Sequence, residues 1–168
     1  LIARELRKGG LAPEYLRVDS PATLQAALDS ATWDIVITDH NLPGFGSEAA
    51  IMQVRQAGYD LPIIIVSGSI GEDVAVAAMK SGAHDYIMKN NLSRLVPAVE
   101  REVREAKNRH QHRDAQEKIQ YLAFHDALTG LCNRGEFERR LVNALKSARA
   151  DNQHAVFYLD LDQFKIVN

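Results

Sequence analysis

The chain has 168 residues, of which 46% are hydrophobic and 25% charged, and its formal charge is −2. Such a composition describes a globular chain able to bury a core and excludes disorder as the default. With Lys and Arg scattered except around 101–113, it offers no electrostatic footprint for nucleic acid. No apolar run approaches a membrane span, no signal-peptide pattern opens the chain, and the single Cys132 cannot form an internal disulfide. The expectation is a cytoplasmic protein with neither membrane nor nucleic acid as partner.

From residue 1 to about 91, short apolar runs alternate with amphipathic stretches, the pattern of βαβ units around a parallel sheet. Leu1, Ile2 and Leu6 share one face of a helix over 1–8, which Gly9-Gly10 stops; the chain is expected to begin inside that helix. Strands are expected at 15–18, 34–38, 62–66 and 84–88, and helices at 21–30, 47–57 and 72–81. Ser20-Pro21 and Gly46-Ser47 are suitable helix starts. The runs Ile35-Val36-Ile37 and Ile63-Ile64-Ile65-Val66 lack polar alternation, as strands covered on both faces do. Pro62 is tolerable at the first position of its strand. From Asn91 a helix is expected to reach about Phe124. Its apolar stripe (Leu92, Leu95, Val96, Val99, Val103, Ala106) gives way to charged and amide residues over 107–118 and resumes at Ile119, Leu122 and Phe124. This reads as a helical connector, either solvated alone or forming a short parallel coiled coil between two copies.

Asp39, Ser67 and Lys89 each close a predicted strand, and open α/β sheets bind ligands beyond the carboxyl ends of their strands. A carboxylate there can accept a phosphoryl group as an acyl phosphate, while a lysine ammonium and magnesium neutralise the charge of the transferring group. Each residue has a plainer reading: Asp39 as a cap ahead of Pro43-Gly44, Ser67 as turn chemistry in Ser-Gly-Ser, Lys89 as a surface lysine, Tyr86 as core. Convergence on one rim favours the functional reading. The six histidines lack metal-ligand spacing, no glycine-rich phosphate loop follows a predicted strand, and Cys132 reads as packing.

The strings WDIVITDHNLPGFG and SGSIGEDVAVAAMKSGAHDYIMK resemble a two-component response-regulator receiver. The resemblance implies an α/β, flavodoxin-like doubly wound parallel sheet, with a receiver domain over 1–106 and a helical connector over 107–125. It implies Asp39 as the phospho-acceptor, Ser67 and Lys89 as phosphoryl contacts, Tyr86 as the aromatic switch, and Mg2+ on Asp39 and the backbone carbonyl of Asn41. A histidine kinase or phosphotransfer protein would be the partner. Two departures stand out. The family's magnesium-binding acidic pair closes a strand that would precede Leu1, and Lys89 is followed by Asn90 where the family has proline. Without that strand, 15–18 and 34–38 would face each other across about 9–10 Å, and this segment alone is expected to be poorly stable.

The strings DALTGLCNR and LDLDQFKIVN resemble the opening of a GGDEF domain of the diguanylate cyclase family, over 126–168. An apolar strand is expected over Ala155 to Leu159, ending at Asp160. Asp160 falls on the family's first metal-binding aspartate, Asn168 on its guanine-binding asparagine, and Phe164 and Lys165 on its phosphate contacts. The GGDEF signature is not in these residues, so this chain by itself is expected to be inactive as a cyclase. The resemblances together imply a response regulator whose phosphorylation controls homodimerisation of an output making cyclic di-GMP from GTP. A degenerate GGDEF segment that binds GTP, regulating a phosphodiesterase or a partner protein, is the alternative.

Overall fold

The structure, a computed structural model, describes residues 1–40, 44–68, 72–148, 154–157 and 159, without the side chains of 72–74. Three strands, β1 (Val36–Asp39), β2 (Ile63–Ser67) and β3 (Asp85–Met88), form a parallel sheet in the order β1-β2-β3. Ile37 pairs with Ile64 and Asp39 with Val66; Ile65 pairs with Tyr86 and Ser67 with Met88. All five β2 residues are buried, and their alternation divides the core. Ile63 and Ile65 pack with Leu24, Leu28, Ile51 and Val54, whereas Ile64 and Val66 pack with Leu6, Leu95 and Val99. Helices α2 (Pro21–Ser30), α3 (Ser47–Gln56) and α4 (Glu72–Ser81) therefore cover one face, and α1 (Ile2–Lys8) and α5 (Leu95–Phe124) the other.

Local chemistry sets these boundaries. Ser20 caps α2 in a reciprocal box with Thr23: the Thr23 N–H donates to Ser20 Oγ at 3.3 Å, and the Ser20 N–H donates to Thr23 Oγ1 at 3.1 Å. Pro21 occupies the first turn, where its missing N–H costs nothing. Gly9 ends α1, and Gly10 then turns with φ +89°.

One predicted strand does not form, and a second is irregular at the residues described. Residues 11–19 have no regular structure, and Tyr15 and Leu16 are exposed. A strand exists only through its ladder, and among the described residues β1 pairs with β2 alone, so 15–18 has no partner for its backbone groups. A cleft of about 960 Å3 remains there, lined in part by Leu6, Leu11, Tyr15, Trp33, Ile35 and Val99. In the expected strand over 155–159, residues 155–157 and 159 are likewise irregular, with Phe157 and Leu159 exposed. They too lack a ladder partner among the described residues.

The chain divides into two compact units, Leu1–His112 and Arg113–Asn168. In the first unit, α5 follows a 3-10 turn (Leu92–Arg94) and is tied to the amino edge of the sheet. Arg101 bridges Asp85 at 2.6 Å and the buried Glu102 at 2.8 Å, contacts that raise its pKa further. Arg109 pairs with Asp60 at 3.1 Å.

In the second unit, the end of α5 leads into a closed turn. The Asp126 carboxylate accepts the N–H groups of Leu128 and Thr129 and the Thr129 hydroxyl, which hold its pKa below the usual value, and His125 bridges Cys132. Asn133 caps α6 (Arg134–Ser147), accepting the Glu136 N–H at 3.0 Å while its own amide donates to the Ala123 carbonyl at 2.9 Å. No helix among the described residues is long and apolar enough to cross a membrane.

Candidate functional site

The parallel register brings three strand ends to one rim. Asp39 is the last residue of β1, Ser67 the last of β2, and Lys89 the first after β3. Lys89 is fixed at its root, because its backbone N–H donates to the Ser67 carbonyl at 2.7 Å. Its stem passes Gly68 so closely that a Cβ there would lie 3.7 Å from Lys89 Cδ. From that position its ammonium forms an ion pair with Asp39 Oδ2. The side chains of Lys89 and Asp39 are 39% and 29% exposed, open enough for an incoming anion to reach both.

Ser67 is different. It is fully buried, and its Oγ has no hydrogen-bond partner among the described residues. A buried hydroxyl without a partner costs about 1–3 kcal/mol of desolvation, and a water, an ion or a bound group can supply its acceptor. Tyr86, half-buried against the α2–α3–α4 layer, donates its hydroxyl to Met88 Sδ at 3.3 Å. Next to the acceptor, His40 Nδ1 lies 3.2 Å from the buried Ser47 Oγ at the start of α3. The sequence reading passed over that contact; only the adjacency of His40 to Asp39 hinted at it.

Asp39, Ser67, Lys89 and Tyr86 are thus all placed, the first three on one rim. Asn41, Asp160, Phe164, Lys165 and Asn168 lie outside the described residues. Asp39, Ser67 and Lys89 are not among the residues lining the cleft beside Tyr15 and Trp33. No cluster of three His, Cys, Asp or Glu side chains is present among the described residues. The donor set fits a magnesium ion held mainly by water and phosphoryl oxygens, with the Asp39 carboxylate as a protein ligand, since this ion commonly takes one or two carboxylates and keeps several waters.

Comparison with known proteins agrees with this geometry. Residues 2–100 match the response regulator receiver domain family, and residues 123–168 match the diguanylate cyclase GGDEF domain family. The DNA-binding transcriptional regulator NtrC of Escherichia coli is 32% identical over 99 residues, 58% of this chain and 21% of that protein. A protein of the same organism described as a probable diguanylate cyclase, DgcE, is 46% identical over 52 residues, 30% of this chain and 5% of that protein. The chain therefore spans only a small part of the curated relatives it matches. Among solved structures, a response regulator receiver domain protein from Clostridium thermocellum superposes with a TM-score of 0.54 at 26% identity, covering 63% of this chain and 85% of that one. The NtrX receiver domain of Brucella abortus does so with a TM-score of 0.54 at 25% identity, covering 61% and 87%. The strands, the rim and the matched residues lead to one statement of kinship: the chain belongs to the response regulator receiver family and continues, beyond a long helix, into a segment matching the GGDEF domain.

Proposed function

We propose that Asp39 accepts a phosphoryl group from a histidine kinase or phosphotransfer protein, and that the resulting change controls homodimerisation and a GGDEF output making cyclic di-GMP from GTP. The observation that carries this reading is the rim itself: a carboxylate paired with a lysine, beside a buried hydroxyl that has no acceptor among the described residues. In the transfer, an Asp39 carboxylate oxygen bonds to phosphorus while the bond from phosphorus to the donor's imidazole nitrogen breaks. The imidazole leaves with the electron pair. Lys89 exchanges its carboxylate partner for a phosphoryl oxygen and keeps the new charge compensated. A bound magnesium ion would supply further neutralisation of the phosphoryl oxygens beside Asp39.

After transfer, Ser67 Oγ gains the acceptor it lacks. Tyr86, whose hydroxyl donates to the Met88 thioether, turns inward with it, carrying a local charge event to the outer surface of β3. By resemblance to the GGDEF family, Asp160 with magnesium and Phe164, Lys165 and Asn168 would bind GTP in the output domain. The test is labelling of the natural gene product that contains these residues with acetyl phosphate and Mg2+, followed by intact mass and sedimentation. One phosphoryl group per chain, absent in Asp39→Ala and accompanied by a shift toward dimer, is expected; labelling that survives the substitution sinks the assignment. Cyclic di-GMP formation from GTP is then assayed on the same preparation.

A further inference from the structure

We infer that His40 is a positioning residue for phosphoryl transfer to Asp39, acting through its contact with Ser47; this inference rests on the reading of Asp39 as the acceptor. β1 is short, and among the described residues it is flanked by a strand on one side only. The last ladder pair joins Asp39 to Val66, so the backbone leaves the sheet immediately after the reacting carboxylate. On the amino side Asp39 is held by that ladder. On the carboxyl side the first side chain able to hold it is His40, whose Nδ1 lies 3.2 Å from Ser47 Oγ.

Ser47 is a firm anchor. It is 2% exposed, and it opens a helix whose Ala50, Ile51 and Val54 are all buried. The two stretches also meet through their backbones, since a Cβ on Gly46 would lie 3.8 Å from the His40 carbonyl oxygen. His40 and Ser47 thus close the loop between β1 and α3 at its base and fix the direction in which the end of β1 presents Asp39. Neither side chain is assigned a contact with the transferring group. Their effect comes from orientation, to which in-line phosphoryl transfer is sensitive.

The experiment measures Asp39 phosphorylation of the natural gene product that contains these residues by acetyl phosphate with Mg2+, as limiting rate and half-saturating donor concentration, alongside the melting temperature. His40→Ala is expected to lower the limiting rate about tenfold, short of the ~100-fold that a full 1 Å misplacement costs, with the half-saturating concentration unchanged. His40→Asn, whose amide can meet the Ser47 hydroxyl, is expected to restore most of the rate. Ser47→Ala should reproduce the loss, and the double variant should be no slower than either single one. A wild-type rate in His40→Ala, an Asn variant as slow as the Ala variant, or losses that multiply in the double variant would each overturn the inference. Should His40→Ala fail to fold, Ser47→Ala, a smaller change at a buried position, carries the same test. A wild-type chain that takes no phosphoryl group on Asp39 overturns the functional reading, and this inference with it. A labelled wild type with an unaffected His40→Ala overturns the inference alone.

Discussion

Lys89 reaches across the end of the central strand to pair with Asp39, fifty residues away in sequence. Both partners are partly exposed, so the pair contributes little to the fold, about 0–1 kcal/mol as for other surface ion pairs. Its value lies in holding a cation where charge develops. Lys89→Ala is therefore expected to leave the melting temperature nearly unchanged while slowing phosphorylation of Asp39 by acetyl phosphate about tenfold or more, the kinetic equivalent of one charge-assisted hydrogen bond of ~1.5–3 kcal/mol. A large loss of stability with an unaffected rate would falsify the assignment of Lys89 to the phosphoryl group.

Ser67 separates stability from signalling in the opposite sense. Its buried hydroxyl, without a partner among the described residues, is a burden on the resting fold. Ser67→Ala removes that burden at nearly the same volume, and the melting temperature should hold or rise. The same substitution takes away the donor for the phosphoryl oxygen, so the phosphodonor-dependent shift in dimerisation should shrink although Asp39 is still labelled. Thermal melts and sedimentation on one preparation check both halves, and a drop in stability would mean that Ser67 has a partner in the resting state.

Much of this was legible in the sequence because the signals were local. The unalternated run Ile63 to Val66 could only be a strand covered on both faces, Ser20-Pro21 marked the first residue of α2, and three polar residues at strand ends marked the rim. What escaped reading depended on partners. The segment 15–18 has strand-like residues, but pairing is a property of two chains of backbone, and no described strand accepts it. Helix α6 went unread although Asn133 and Glu136 stand at cap spacing and Phe137, Leu141 and Leu145 repeat along one side. Its cap Asn133 lies within the string DALTGLCNR, whose motif masks the helix start. The contacts of His40 with Ser47 and of Arg101 with Asp85 join residues that no periodicity relates.

His84 makes the amino edge of the sheet sensitive to acid. Its backbone N–H donates to the Ile63 carbonyl at 2.8 Å, and its Nδ1 accepts the Ile63 N–H at 3.0 Å, a bond that only an unprotonated Nδ1 can make. Burial pushes its pKa below the ordinary 6.5; Glu102 and Asp60 oppose that shift, and Arg109 and Arg55 assist it. The unfolded chain therefore binds a proton before the folded one does. This contribution to stability is complete above pH 6.5 and declines as the pH falls below it. Melting temperatures of the first unit are expected to fall from pH 7 toward pH 5, with a shallower slope in His84→Asn. Equal slopes in the two proteins would show that some other group governs the decline.

Glu136 gives the second unit a lower acid threshold. It is nearly covered by its own helix, with Arg139 at 2.7 Å and Arg140 at 2.6 Å on one carboxylate oxygen. Their hydrogen bonds push its pKa from the ordinary 4.5 down to about 2. A carboxyl group depressed on folding stabilises the folded state fully above its unfolded value and loses that contribution as the pH falls through the folded one. The support that Glu136 lends to α6 is therefore intact at pH 5 and disappears between pH 4.5 and about 2. Because its partners are three and four residues away on the same helix, the loss should appear as local unwinding of α6. Circular dichroism of residues 113–168 should show helicity falling through that interval, and Glu136→Gln should already have the lower helicity at pH 7 with a flattened acid titration. A Gln variant that titrates like the wild type would place the acid response elsewhere in the unit.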